Sequence, residues 1–374
     1  MMRPMTPEAI KRRIDLAAGR ELPELVLKNA RIVNVFTEEL VHGDVAIDGG
    51  FIVGIGAYKG QQEVDLAGAC VAPGLIDGHV HIESAMVTPG QFAKAILPHG
   101  TTTIIADPHE IANVCGITGV EYMLEQSADL PLEVFLMMPS CVPSTPFENA
   151  GAVLRAADMA PLMGNPRILG LGEMMDYPGV VSGRQDIRDK LAVGGEKLID
   201  GHGPVITGKD LNAYVAAGIH TEHECTTEEE MLERLRLGMY IQIREGSAAR
   251  NLEALIRRVT PQNLRRVLFC TDDRHPGDIL REGHIDNNVR TAIRKGLSPW
   301  LPSASPPSTR RSATGSMTGG LWPRGIRRTS SSSTPPKALS FPRCTNEESW
   351  WRTRAWHSSR SPRSGWIRCW RPCG

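Results

Sequence analysis

Two histidines stand one residue apart in GLIDGHVHI, at His79 and His81. In an extended segment the side chains at i and i+2 leave the same face, so both imidazoles are offered to one point. Further along the chain come Glu173 in RILGLGE, His202 in EKLIDGH, His223 in GIHTEH and Asp272 in RVLFCTD. Four imidazoles and two carboxylates are the donors that a pair of divalent cations with one shared ligand would use. Taken singly, each has an ordinary reading. A His-x-His pair is common, His202 and His223 could be surface or capping groups, and Asp272 could cap the next helix. Taken jointly, each lies at the same end of a different apolar run, and chance becomes the poor explanation.

The runs that carry these residues are short and apolar. Eight strand candidates follow Leu75: GLIDGHVHI, TTTIIAD, LEVFLMM, RILGLGE, EKLIDGH, GIHTEH, MYIQIRE and RVLFCTD. Between them lie amphipathic segments such as QFAKAILPHG, KDLNAYVAAG and TTEEEMLERLRLG, which close on a glycine suited to a helix C-terminus. Continuous runs such as VFLMM suit strands buried on both faces, and Met137 and Met138 read as core. Units of β then α over roughly 230 residues predict a (β/α)8 TIM-type barrel of the α/β class, with its chemistry at the C-terminal strand ends. An open doubly wound sheet is the alternative, though no G-x-G-x-x-G follows any of these strands. Ahead of the barrel, alternating runs around Asp48-Gly49-Gly50 predict a β-hairpin in a small sheet. The expected divisions are a helical extension over 1–20, part of a small β-sandwich over 21–73, the barrel over 74–299 and a tail over 300–374.

With 374 residues, 41% hydrophobic and 22% charged, the chain is neither a small stapled scaffold nor wholly disordered. A formal net charge of +0 argues against a protein devoted to nucleic acid or anionic lipid. The N-terminus lacks a secretory apolar run, no stretch approaches the roughly 20 apolar residues of a membrane span, and the expectation is a cytoplasmic protein. Eight cysteines without any C-x-x-C read as reduced, buried thiols. The average conceals a split, because residues 300–374 hold 13 of the 42 basic residues, 2 of the 42 acidic ones and all seven Trp. That segment reads either as a basic arm or, with a better fit, as translation in a shifted frame.

Together, PGLIDGHVHIES, Gly172-Glu173-Met174-Met175, ADPHEIANVCG, DGHGP, HECTTEEE and TDDRHP resemble the adenine deaminase branch of the amidohydrolase superfamily, over about residues 21–299. The resemblance implies a (β/α)8 barrel flanked by a small β-sandwich, here incomplete because the tail replaces its second part. It implies two divalent ions, Mn2+ or Fe2+ as the branch's usual metals with Zn2+ left open, held by His79, His81, Glu173, His202, His223 and Asp272. Glu173 would take the bridging place that a carboxylated Lys holds in many relatives. The implied reaction converts adenine and water to hypoxanthine and ammonia in purine salvage, with Asp272 moving the proton.

Asp273 is expected to point to the opposite side of an extended segment. Glu83, on the same face as His81, is expected either to contact the purine, to orient a ligand or to serve as a helix N-terminal acid. His109 and Glu110 would touch substrate or support the ligands. One departure is Glu222 in HTEHE, where the branch more often shows Asp. A cyclic-amide hydrolase of the same superfamily is the alternative enzyme, and an inactive fragment whose basic tail binds anionic partners is the alternative of another class. A homo-oligomer stays open. Without its closing strands, the chain is expected to be poorly soluble, with weak or no activity.

Overall fold

The computed structural model describes residues 6–298 and the backbone of Cys369 and Trp370. Described residues up to 74 form one compact unit and residues 75–298 a second. In the first, helix Pro7–Ala17 starts at Thr6, whose hydroxyl accepts from the Ala9 N–H at 3.2 Å. Five strands follow: β1 (Leu25–Asn34), β2 (Glu39–Asp48), β3 (Phe51–Gly56), β4 (Gln62–Asp65) and β5 (Cys70–Val71). β1, β2 and β3 run antiparallel, whereas β4 and β5 pair with β1 in parallel. The expected hairpin turns through Gly49 and Gly50 at φ 55° and 77°, the left-handed pair that matches the strand twist and that a Cβ would strain. Leu27, Ile32, Val45, Ile47 and Leu66 form its small core. The tail over 300–374 lies outside the described residues, apart from Cys369 and Trp370, whose backbone pairs antiparallel with β5.

The second unit holds eight strands: β6 (Leu75–Val80), β7 (Thr101–Ala106), β8 (Glu133–Met138), β9 (Ile168–Met174), β10 (Leu198–Gly201), β11 (Thr221–Glu222), β12 (Tyr240–Arg244) and β13 (Val267–Cys270). β6 to β10 pair in parallel in chain order, as do β11 to β13. Two seams join these arcs into a ring. The His220 N–H donates to Ile199 O at 3.0 Å, and across the other seam Asp272 N–H donates to His79 O at 2.9 Å and His81 N–H to Asp272 O at 3.2 Å. The fold is therefore a (β/α)8 TIM-type barrel, and the open sheet is excluded.

Buried polar groups reinforce the closing seam. Asp77, wholly buried on β6, accepts from Thr271 N–H at 3.1 Å and Thr271 Oγ1 at 2.5 Å, while Gln242 on β12 donates to Gly78 O at 3.1 Å. Burial pushes the Asp77 carboxyl up to about 7 despite those donors. Outside the ring, helices place Phe92, Ile96, Val120, Leu211, Ile279 and Met123 on the strands in one continuous core, where Met138 also lies and Met137 is fully buried. Helices Gly208–Ala216 and Glu228–Arg236 run into Gly218 and Gly238 at positive φ, as their sequences predict. One expectation fails at the surface: Cys70, Cys141, Cys225 and Cys270 are buried free thiols, but Cys115 is exposed at the end of helix His109–Cys115, which covers little of itself.

Candidate functional site

His79 and His81, at the end of β6, are almost wholly buried and aim their Nε2 atoms at the same oxygen. Glu173 Oε1 lies 2.9 Å from His79 Nε2 and 2.8 Å from His81 Nε2, and the two nitrogens are 3.1 Å apart. The outer ring nitrogens fix the tautomers. His81 Nδ1 faces the carbonyl of Asp107 at 2.8 Å, which can only accept, so Nδ1 carries the proton. His79 Nδ1 likewise faces Asp200 Oδ2 at 2.9 Å, a carboxylate held below its ordinary range because His79 and Thr221 outweigh its burial. With the rings neutral, as a bound cation requires, two lone pairs and a carboxylate oxygen that receives no hydrogen bond converge on one point.

The other oxygen of Glu173 faces the second histidine pair. His202, after β10, sets Nδ1 2.7 Å from Glu173 Oε2; His223, after β11, sets Nε2 3.7 Å from the same atom and stacks on His79 with ring centres 4.2 Å apart. Burial disfavours charge on all four rings. The carboxylates outweigh it at His79, His81 and His202, whose pKa values rise, whereas His223 falls because burial and the field of His79 act together. Glu173 is held well below the carboxylate range, its burial overcome by His223 and His79. A buried carboxylate divided between two histidine pairs is a donor set built for positive charge.

Asp272 closes the ring beside His81, with Oδ1 3.2 Å from His81 Nε2 and Oδ2 accepting from Arg244 Nη1 at 2.5 Å. It does not cap the next helix; Pro276–Glu282 is capped by the His275 ring, which accepts from Gly277 N–H at 3.1 Å. Asp273 corrects the expectation of opposite faces. Asp272 sits at φ 54°, outside extended geometry, so the alternation breaks and the Asp273 carboxylate comes within 4.8 Å of the ligand atoms of His81 and Asp272. There it accepts from Ser84 Oγ.

The remaining candidates line the same mouth at greater distance. His109 Nδ1 is 3.8 Å from Glu173 Oε1 and from Asp107 Oδ1, and its pKa stands at about 9 because Asp107 outweighs burial. Glu110 Oε2 lies 3.8 Å from His81 Nδ1. Glu83 is not on an extended strand, since the chain turns into a 3-10 helix at Glu83–Ala85. Its Oε1 accepts from Ile111 N–H at 3.3 Å and its Oε2 is buried without a partner, so burial and Glu110 push its pKa to about 7. It borders an open groove of about 290 Å³ with Met86, Val87, Pro89 and Tyr122.

Four further residues join the site that no motif singled out. Asp200 and Asp107 buttress His79 and His81; Arg244, at the end of β12, donates to both Asp272 and Glu224; and Glu224 Oε1 lies 3.5 Å from His223 Nε2. Asp200, on β10, precedes His202 by two residues, a spacing of the same kind as that of His79 and His81.

Residues 70–298 match the amidohydrolase family. The chain belongs to that family. It is 57% identical over 290 residues to an adenine deaminase of Clostridium acetobutylicum, covering 77% of this chain and 51% of that protein. It is 52% identical over 290 residues to the adenine deaminase of Geobacillus kaustophilus, covering 77% and 50%. The chain thus spans about half the length of the curated relatives it matches. Among solved structures, a dihydroorotase superposes with TM-score 0.55 at 13% identity, over 78% of this chain and 83% of that one. An adenine deaminase does so with TM-score 0.53 at 13% identity, over 75% and 81%. At these identities the superpositions speak for the fold alone, a (β/α)8 barrel.

Proposed function

We propose that this chain carries the catalytic barrel of an adenine deaminase, which hydrolyses adenine to hypoxanthine and ammonia. The observation that carries the reading is Glu173, whose Oε1 faces His79 and His81 while Oε2 faces His202 and His223. The donors fit two divalent ions: lone pairs converge on an oxygen without a hydrogen bond, and all are hard nitrogen and oxygen donors, suited to Mn2+ or Fe2+ without barring Zn2+. His79, His81 and Asp272 would hold one ion, His202 and His223 the other, and Glu173 both. Bound there, the ions would make water a competent nucleophile at neutral pH.

The chain's own residues supply the proton traffic. Asp272 is held ionised by His81, which overcomes burial, and Arg244 fixes its other oxygen. It takes one proton from the water that adds to C6 of adenine and delivers it to the exocyclic nitrogen. The C6–N bond then breaks and ammonia leaves, far more readily than amide ion would. His109 and Glu83 face the same mouth, where the unpartnered Glu83 Oε2 is suited to a ring nitrogen of the base. The 57% identity to an adenine deaminase supports adenine as the substrate, and the free thiols fit a cytoplasmic setting.

Incubating the purified chain with Mn2+ and adenine, with ammonia and hypoxanthine measured together, tests the reading. Release of both in equal amounts is expected, at the low rate foreseen for a barrel without the second part of its sandwich. Turnover of dihydropyrimidines with none of adenine would assign a cyclic-amide hydrolase instead. Retention on nucleic acid that salt abolishes, with no turnover of either, would favour the inactive fragment.

A further inference from the structure

We infer that the buried pair Glu222 and Arg234 is a positioning device for His202 and His223, acting through the backbone on which both stand. The inference rests on the two-ion reading of the site. Both side chains are wholly buried. Glu222 Oε1 accepts from the N–H groups of His223 at 3.0 Å and Glu224 at 2.9 Å, and Oε2 accepts from the N–H of Gly203 at 2.9 Å. Arg234, in the last turn of helix Glu228–Arg236, donates Nη2 to Gly203 O at 2.6 Å. Its Nε lies 3.6 Å from Glu222 Oε2 and makes no hydrogen bond.

Gly203 is therefore gripped at its N–H by one partner and at its carbonyl by the other, directly beside His202. A Cβ there would stand 2.9 Å from Ile206 Cγ2 and 3.1 Å from Glu222 Oε2, so the close approach needs glycine. Tyr214 adds a third hold: its hydroxyl accepts from His202 N–H at 2.9 Å and donates to Met174 O at 2.7 Å, next to Glu173.

The need for such a device is visible in the rings. His79 and His81 are oriented by Asp200 and by the Asp107 carbonyl at their outer nitrogens, but His223 Nδ1 is buried without a partner and His202 Nδ1 is turned inward to Glu173. Among the described residues no outer hydrogen bond aims these two imidazoles, and direction must come from the main chain. A buried ion pair adds little stability over well-packed apolar residues. Four hydrogen bonds to residues 203, 223 and 224 are what these charges contribute.

The test uses the full chain and Mn2+. In the double variant Glu222→Gln with Arg234→Met, no buried charge is left unpaired, and metal binding is followed by titration of metal-depleted protein with electron paramagnetic resonance. The parent is expected to take two equivalents. The variant should hold one at parental affinity and the other about 10- to 100-fold more weakly, the range for lost outer-shell support. Parental binding of both equivalents overturns the inference, as does equal weakening of both, which a general loosening of the fold would produce. A parent that takes up no Mn2+ overturns the two-ion reading and the device with it. Should the variant not fold, amide exchange in the metal-free parent decides: slow exchange at Gly203 and His223 before any metal is added is expected, and protection that arises only on metal addition overturns the inference.

Discussion

The two sides of Glu173 solve one problem differently. On the side of Oε1, His79 and His81 follow a single strand end, are almost wholly buried, and each has an outer ring nitrogen bound to a fixed acceptor. On the side of Oε2, His202 and His223 follow two different strands; the His202 side chain keeps 29% of its surface exposed and His223 Nδ1 has no partner. The first pair is aimed through the rings and the second through the backbone, by Glu222, Arg234 and Tyr214. One strand end can serve two ligands when the alternation of an extended chain does the aiming. Where two strand ends must agree, buried polar groups have to tie them together.

The largest effect is expected where the sides meet. Glu173→Gln removes the charge that both share, so metal analysis after dialysis should find both equivalents lost and adenine hydrolysis largely abolished, beyond the about 10- to 100-fold attributable to an outer-shell partner. Retention of both ions with normal turnover would remove Glu173 from the centre. Next comes Asp272→Asn, which should keep the ions while kcat falls about 10²- to 10⁴-fold, the contribution of a positioned acid–base group. A variant whose kcat is unchanged would show the proton moving elsewhere.

A smaller and one-sided loss is expected from Asp200→Asn, which weakens the acceptor on His79 Nδ1, while the other oxygen keeps its donors Thr221 Oγ1 and Gly201 N–H. One of two Mn2+ equivalents should bind about 10- to 100-fold more weakly, with the His202 and His223 side unaffected. Equal weakening of both equivalents would mean that the sides are not separately supported.

The smallest effect on the site, and a control for it, is Asp286→Asn. Asp286 is buried on helix Ile285–Arg294 and pairs with Arg290 and, at 3.5 Å, with His99; these outweigh burial and hold its carboxyl below the ordinary range. A depressed folded pKa gives stability that is present above the unfolded value and lost as pH falls through the folded one. The variant should therefore unfold about 1–3 kcal/mol more easily in urea at neutral pH. Its deficit relative to the parent should shrink in acid, and its metal content per folded molecule should stay parental. A deficit that persists unchanged in strong acid would refute the assignment.

Much of this was legible in the sequence because both periodicities and strand-end placement are local. Eight apolar runs became eight strands, and His79, His81, Glu173, His202, His223 and Asp272 meet because parallel strands in a closed barrel bring all their C-terminal ends to one mouth. What was not legible depends on neighbours distant in sequence. Asp107 and Arg244 matter through contacts across strands, and no spacing announces them. Asp273 was misplaced because a single positive φ at Asp272 cancels the alternation; for Glu83 the same-face reading fails because the strand gives way to a 3-10 helix just beyond His81, whereas the alternative of a helix N-terminal acid holds. The departure at Glu222 was visible, but its pairing with Arg234 was not, since that pair forms only once helix Glu228–Arg236 packs back on its strand.

Anomalous diffraction from crystals of the chain grown with Mn2+ tests the shared carboxylate most directly. Two peaks about 3.5–4 Å apart are expected, the separation of paired catalytic ions. One should lie against His79 and His81, the other against His202 and His223, with one oxygen of Glu173 on each. A single peak, or two peaks with Glu173 bound to only one of them, would contradict the shared site.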